Sequence, residues 1–436
     1  MDRIKVIVVQ RKGKRLRVVP GPGGLAEITL EADAETVLES VRAYFLDRWQ
    51  AEVYALQWLF PEDFLLSGTH DQTPHLVVYA ETLGQLQHLR PDRNNRGPFN
   101  NAPEESLEPY RITAESPSQA EIWSLPDWLP DTSAWIRHNF SKVERILQVR
   151  TCPNGAVLRI QCEDNTFYLK TQTCSLAYEW ALLKILNRRT PGFCPRVLDI
   201  RPDSRSHLTY ALRGRPLDSP DEPFALRQLA LCAVATLQIG AIGFVEELRG
   251  QHIPYHPLES FGSGLDETIN RLVGLQSESP NRLTQKELEN VAQLSAKAYR
   301  DFENLDGCGL PETLIHGDLN WSNAFRAETG GYAFIDWSLS RVTHPFFTLG
   351  SAVFGHLEGE CGMPPEDEAL CDTYLEMWSD FASQSRLRTA LDAASRLFWI
   401  DSSIAVSSLC QPGHVRNLIN LPRFLRAALR AYDLNL

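Results

Sequence analysis

The stretch ERILQVRTCPNGAVLRIQCEDNTFYLKTQT, residues 144–173, leaves a folding chain few options. Runs rich in β-branched and large apolar residues are cut at Pro153-Asn154-Gly155 and again at Glu163-Asp164-Asn165. Strand-like runs joined by such tight turns predict three antiparallel strands in chain order. The next segment, SLAYEWALLKILNRR, switches to helical spacing, and a strand-like HLTYAL follows, closed by Arg213-Gly214. From about residue 224 the pattern is mainly helical, clearest in FALRQLALCAVATLQIGA and TQKELENVAQLSAKAYRDFENL. The exception is 313–340, where TLIHGDL, NAF and YAFIDW read as short strands and loops. The predicted fold class is therefore α+β and bilobal. A small β-rich lobe spans 140–215, and a larger, mainly helical lobe spans 216–436.

A further small α+β domain is predicted over 1–110. RIKVIVVQRKGKRLRVVP reads as two strands around a KGK turn, and HLVVYAETL as another strand. Between them Val37, Leu38, Val41, Tyr44, Phe45 and Trp49 fall at helical spacing. Residues 90–110, poor in aliphatics and rich in Asn, Pro and charge, mark a linker or long loop.

Composition narrows the function classes. A net charge of −12 argues against a nucleic-acid binder, which would present a basic face. Nine cysteines are scattered from Cys152 to Cys410 with no C-x-x-C pair. That suits free thiols in a reducing compartment better than a disulfide framework or a zinc site. The opening MDRIKVIVVQRKGKR holds only a short apolar run, so no secretory leader is expected. Nor does any apolar stretch read as the roughly 20 residues a membrane span needs. A cytoplasmic protein with no membrane partner is expected; nothing in the sequence sets the oligomeric state.

Chemistry concentrates in LIHGDLNWSNAF, residues 314–325, and YAFIDWSLS, residues 332–340. Transfer of a phosphoryl group from ATP needs a grip on the triphosphate, a site for magnesium and a group that orients the incoming hydroxyl. A carboxylate near the hydroxyl can accept its proton, and magnesium takes hard oxygen ligands, completed by waters and phosphates. Asp318 is the candidate base, with Asn323 and Asp336 as candidate magnesium ligands.

HGDLNWSN resembles the catalytic loop of the aminoglycoside phosphotransferase and choline kinase group, small-molecule relatives of the protein kinases. The protein-kinase pattern is H-R-D-L-x-x-x-N followed by D-F-G. Here His316, Gly317, Asp318, Leu319 and Asn323 match it with Gly in place of Arg, and IDW stands where D-F-G would lie. The resemblance covers about 140–436 and implies a protein-kinase-like fold using ATP and Mg2+. It places Lys170, in the third strand of the meander, on the α- and β-phosphates, with Glu179 of the following helix as its ion-pair partner. A strand lysine alone is more often merely solvated; it is the order Lys170, Glu179, Asp318 that carries weight. His316 is expected to brace its loop by bonding backbone, and Trp321 and Trp337 to pack.

Two departures stand out. No G-x-G-x-x-G joins the first two strands, only Gly155, and a lone turn glycine is most often just a turn. Leu237-Gln238 stands where many relatives have Leu-His. Residues 1–110 faintly resemble a Nudix-type domain, but the helix reads SVRAYFLDRW and lacks the glutamates of that family's metal box, so a structural or substrate-capping role is expected.

The implied activity is phosphorylation of a small hydroxylated molecule: an amino sugar, an amino alcohol or a related metabolite. The acidic run Glu358, Glu360, Glu366, Asp367 and Glu368 could hold an amine, although such runs are usually solvated helix starts. A pseudokinase serving as a nucleotide- or partner-binding module is the rival. A protein kinase proper fits less well, since SLSRVTHPFFTLG shows no A-P-E-like element and reads as running straight into a helix.

Overall fold

The computed structural model describes residues 2–12, 15–18, 25–30, 37–49, 53–59, 75–80, 122–125, 127–152, 154–219, 221–277, 282–356, 363–407 and 415–434. They form two compact units. One comprises Met1–Cys174 with Asp199–Tyr210, the other Ser175–Leu198 with Ala211–Leu436. The predicted linker at 90–110 lies outside the described residues.

The first unit contains two sheets. Strands β1 (Asp2–Lys12), β2 (Arg15–Val18), β3 (Leu25–Leu30), β4 (Val53–Leu59) and β5 (His75–Ala80) make a mixed sheet in the order β2-β1-β5-β4. β3 pairs with the first half of β1, from Asp2↔Leu30 to Ile7↔Leu25, and β2 with the second half. β1 and β5 run parallel. Val6 and Val8, two apart on β1, share a face and are fully buried. Helix α1 (Val37–Trp49) buries Leu38, Val41 and Phe45, the helical stripe its sequence predicts.

The second sheet is the predicted meander, β6 (Val143–Cys152), β7 (Gly155–Cys162) and β8 (Thr166–Gln172). It is extended by β9 (Val197–Arg201) and β10 (Ser206–Tyr210) to give the order β6-β7-β8-β10-β9. Alternation along β7 buries Ala156, Leu158 and Ile160, which pack with Phe167 and Leu169 of β8, Leu208 of β10, and Trp128 and Ile136 of α2 (Trp128–Asn139). Gly155 has its own reason here. A Cβ at that position would sit 2.5 Å from the carbonyl oxygen of Thr171, so the turn glycine is demanded by the neighbouring strand. The two sheets are joined through Gln148: its amide donates to Ala55 O (2.9 Å) and accepts from Ala55 N (3.2 Å), at the point where the β4–β5 register shifts.

The second unit is mainly helical: α3 (Glu179–Arg189), α4 (Phe224–Ala241), α5 (Val245–Gly250), α6 (Leu258–Gln276), α7 (Gln285–Gly307), α8 (Pro365–Glu376), α9 (Gln384–Ser407) and α10 (Val415–Ala431). α3 begins later than its spacing predicts, because Cys174–Leu176 form a separate 3-10 turn. α7 starts in a capping box, with Thr284 and Glu287 each bonding the other's backbone N–H (3.3 and 2.6 Å).

The expectation that no stretch could span a membrane needs correction at Phe224–Gly250, which is long and apolar enough by length and composition. Core packing explains its character: Ala230, Leu231, Val234, Ala235, Leu237 and Ala241 are buried in the unit's main cluster.

Among the helices lie short strands that hold the polar segments. β11 (Gly214–Pro216), β13 (Ala324–Ala327) and β14 (Tyr332–Phe334) pair in that order. β12 (Thr313–Ile315) pairs antiparallel with β15 (Arg341–Thr343), Ile315 opposite Arg341. The segment after Asp336 therefore does not run straight into a helix. It returns as β15 and then makes a 3-10 turn over Pro345–Leu349.

Candidate active site

The strand pair β12–β15 and the hairpin β13–β14 bring the two polar loops together. HGDLNWSN leaves the end of β12 and reaches β13. IDWSLS leaves the end of β14 and reaches β15. The main chain closes the junction, with Ile335 N–H donating to Asn323 O at 3.0 Å.

The first loop is a web of short-range bonds. Asn320 Oδ1 accepts from Ser322 Oγ (2.5 Å) and Asn323 N (3.1 Å), and Asn320 Nδ2 donates to Asp318 Oδ1 (3.3 Å). Asn323 Nδ2 donates to Asp318 O at 3.0 Å and reaches Asp318 Oδ2 at 3.5 Å. The amide nitrogen of Asn323 is thereby spent on Asp318, which leaves its oxygen as the end suited to a hard cation.

His316 is fully buried and braces both loops. Its Nδ1 accepts from Asp318 N (3.4 Å), so Nε2 carries the proton and donates to Ile335 O (2.8 Å). Burial holds its pKa below the ordinary histidine range, against the pull of Asp318 and Asp336. The ring packs on Trp337 with centroids 4.6 Å apart, and Trp337 Nε1 donates to Phe334 O (2.7 Å). Trp337 is thus a packing residue, as expected. Trp321 is half-buried, with the Arg227 guanidinium 5.5 Å from its ring centroid.

Gly317 explains why this loop reads H-G-D. Its φ is +83°, and a Cβ there would lie 2.0 Å from Leu339 O, so any side chain would drive the two loops apart.

Asp336 sits at φ 61°, ψ 63°, the left-handed region, with Ser338 Oγ donating to its Oδ1 at 2.6 Å. Glu179 is 2% exposed, and its Oε1 accepts from Trp337 N at 2.9 Å. The hydroxyl of Tyr178, one residue earlier, donates to Ser338 O (2.5 Å) and lies 3.0 Å from Ser340 O. Burial first, then Glu179 and Asp336, push this phenol's pKa well up, so it remains a donor. Ser340 Oγ returns to His316 O (3.0 Å). Behind the loop Arg341 forms an ion pair with Asp401 of α9, the side chains 4% and 0% exposed.

Four of the five residues singled out by sequence, Glu179, Asp318, Asn323 and Asp336, thus belong to the second unit, around one pair of loops. Lys170 belongs to the first, half-buried on β8 between Val157 of β7 and His207 of β10. Residues that sequence reasoning passed over are Tyr178, Ser338, Ser340 and the Arg341–Asp401 pair; their partners lie far along the chain, and no local pattern marks them. Gln238, the departure from the Leu-His pattern, is buried with both ends of its amide bonded: Nε2 donates to Pro345 O (3.2 Å) and Oε1 accepts from Tyr374 (2.6 Å). In the acidic run, Glu366, Asp367 and Glu368 occupy the first turn of α8 and Asp367 is buried, while Glu358 and Glu360 lie outside the described residues.

No group of three or more His, Cys, Asp or Glu able to hold a metal occurs among the described residues. The hard-oxygen pair Asn323 and Asp336 still fits Mg2+, which commonly uses one or two protein ligands and takes the rest from phosphates and water.

A meander sheet, a helical unit, an H-G-D loop and a second loop begun by a strand-end aspartate are the features that the resemblance to the small-molecule phosphotransferases of protein-kinase-like α+β fold leads one to expect. The model of the phosphotransferase enzyme family matches residues 156–388, more than half of the 436, and the chain belongs to that family. Among solved structures it is similar to an ethanolamine kinase of Plasmodium vivax (13% identity, 67% of this chain and 84% of that one, TM-score 0.45). It is also similar to a choline kinase of Streptococcus pneumoniae (13%, 70% and 99%, TM-score 0.45). A macrolide 2′-phosphotransferase of Brachybacterium faecium stands at 17%, 68% and 97%, TM-score 0.44. No curated protein matches the sequence.

Proposed function

We propose that this protein moves the γ-phosphate of ATP, in the presence of Mg2+, to a hydroxyl of a small molecule: an amino sugar, an amino alcohol or a related metabolite. The observation that carries the reading is the bonded pair Asp318–Asn323 (3.0 Å) joined through the Ile335–Asn323 main-chain bond to the segment bearing Asp336. Asp318 orients the acceptor hydroxyl and takes its proton. Asn323 and Asp336 hold the magnesium, which when bound neutralises charge on the phosphate oxygens. Lys170 is assigned to the α- and β-phosphates. Most of the rate then comes from positioning and charge stabilisation rather than from covalent chemistry.

The same proposal divides the chain into a domain over 1–110 with a structural or capping role, a nucleotide-binding lobe over 140–215 and a catalytic lobe over 216–436. Cytoplasmic location belongs to it too, supported by free thiols at all seven described cysteines.

The decisive variant is Asp318→Asn. It should lower turnover by about 10²–10⁴-fold, the usual worth of a general base, while Mg-ATP still raises the melting temperature as in wild type. Turnover within a few-fold of wild type would remove Asp318 from the role of base. The pseudokinase reading would gain if wild type bound Mg-ATP yet released no ADP with any amino sugar or amino alcohol.

A further inference from the structure

The Asp336 segment is fastened by a neighbour that phosphoryl transfer does not require. Two adjacent residues at the start of α3 bond the positions directly after Asp336. Glu179 takes the N–H of Trp337 (2.9 Å), and Tyr178 reaches the carbonyls of Ser338 and Ser340 (2.5 and 3.0 Å). The Ser338 hydroxyl in turn donates to Asp336 Oδ1 (2.6 Å). Asp336 keeps a left-handed backbone, φ 61°, which a residue with a side chain holds only where its surroundings over-determine it. The phenol supplies part of that determination, because it fixes the peptide that carries the serine, and the serine fixes the carboxylate.

We propose that Tyr178 is a positioning residue for the Asp336 carboxylate, acting through Ser338, and that it sets the affinity of the magnesium site. This rests on the reading of Asp336 as a magnesium ligand given above. A phenol that only filled space would stabilise the fold without regard to metal. A phenol that aims a ligand must change the metal dependence itself.

The test compares wild type, Tyr178→Phe and Ser338→Ala, with Mn2+ and ADP as probes. Bound Mn2+ is read by electron paramagnetic resonance, and the ADP-induced rise in melting temperature is followed across a magnesium titration. Both variants should need about three- to tenfold more metal for half-saturation, the loss expected of one hydrogen bond that orders a ligand. Metal-free ADP affinity and turnover at saturating magnesium should stay within about twofold. An unchanged metal half-saturation in folded Tyr178→Phe overturns the proposal, as does a loss of turnover that excess magnesium does not restore. If Tyr178→Phe fails to fold, Ser338→Ala decides alone, and an unchanged half-saturation there is a refutation. Should wild type itself bind ADP with no metal dependence, the functional reading fails first, and the variants are not needed to show it.

Discussion

Residues 316–323 and residues 336–341 carry the candidate chemistry side by side, yet they are stabilised in opposite ways. The first loop closes on itself, with Asn320, Ser322 and Asn323 bonding to one another and to Asp318 within a few positions. The second makes the Ser338–Asp336 bond on its own and takes most of its support from a distance, from Tyr178 and Glu179 of the α3 region and from Asp401 of α9. A self-bonded loop keeps its shape when distant residues change. A loop held from outside is a place where the rest of the protein can alter the site.

That contrast can be broken most severely at Arg341. Replacing it by Ala leaves Asp401, 0% exposed, without its partner, and should cost about 3–5 kcal/mol of stability in denaturant titration. The double variant Arg341→Met with Asp401→Leu should recover most of that stability. If the contrast is right, it will not recover full phosphotransfer, because the brace behind the second loop is gone. Full recovery of both would show that the pair stabilises the fold and nothing more.

The next effect belongs to Gly317, whose backbone lies directly against that of Leu339 in the second loop. Gly317→Ala puts a methyl 2.0 Å from Leu339 O at a φ of +83° and should cost about 2–3 kcal/mol while impairing both loops together. Turnover and melting temperature should fall in the same variant; a normal melting temperature would mean that the contact yields easily.

The effect that vanishes at neutral pH, and is smallest there, sharpens the comparison on the acid side. His344 caps the 3-10 turn after β15, its Nδ1 accepting from Phe346 N (3.3 Å), and burial lowers its pKa from 6.5 to about 3. Its contribution to stability is complete above pH 6.5. Below that the unfolded chain binds a proton that the folded one refuses, and stability falls by up to about 1.4 kcal/mol per pH unit until about pH 3. His316, shifted in the same direction by burial, adds to the slope. His344→Asn, which keeps a capping oxygen, should flatten the acid side of a melting curve series between pH 4 and 7 without removing the slope entirely. An unaltered slope would assign the acid sensitivity elsewhere.

Much of this was legible in the residues. The β6–β8 meander follows from its two turn clusters, and α4 begins and ends where its apolar spacing says. The roles of Asp318, Asn323 and Asp336 were suggested by residue type and order. β15 was not legible, because RVT acquires strand geometry only by pairing with TLI of β12, well upstream. The start of α3 was misplaced for a similar reason: the residues before Glu179 turn as a separate 3-10 segment, and Tyr178 sends its side chain to the second loop.

By itself, then, the sequence determined the elements and the chemical inventory: a strand meander, a helical unit, an H-G-D loop and a strand-end aspartate. Those depend on local spacing, turn residues and donor type, which act over a few positions. Only the tertiary structure decided what holds the inventory in place, namely Glu179 on Trp337, Tyr178 on Ser338, Gln238 between Pro345 and Tyr374, and Arg341 on Asp401. Each of these bonds joins residues far apart along the chain. Burial makes each one costly to lose, and no local pattern can anticipate a partner chosen by packing.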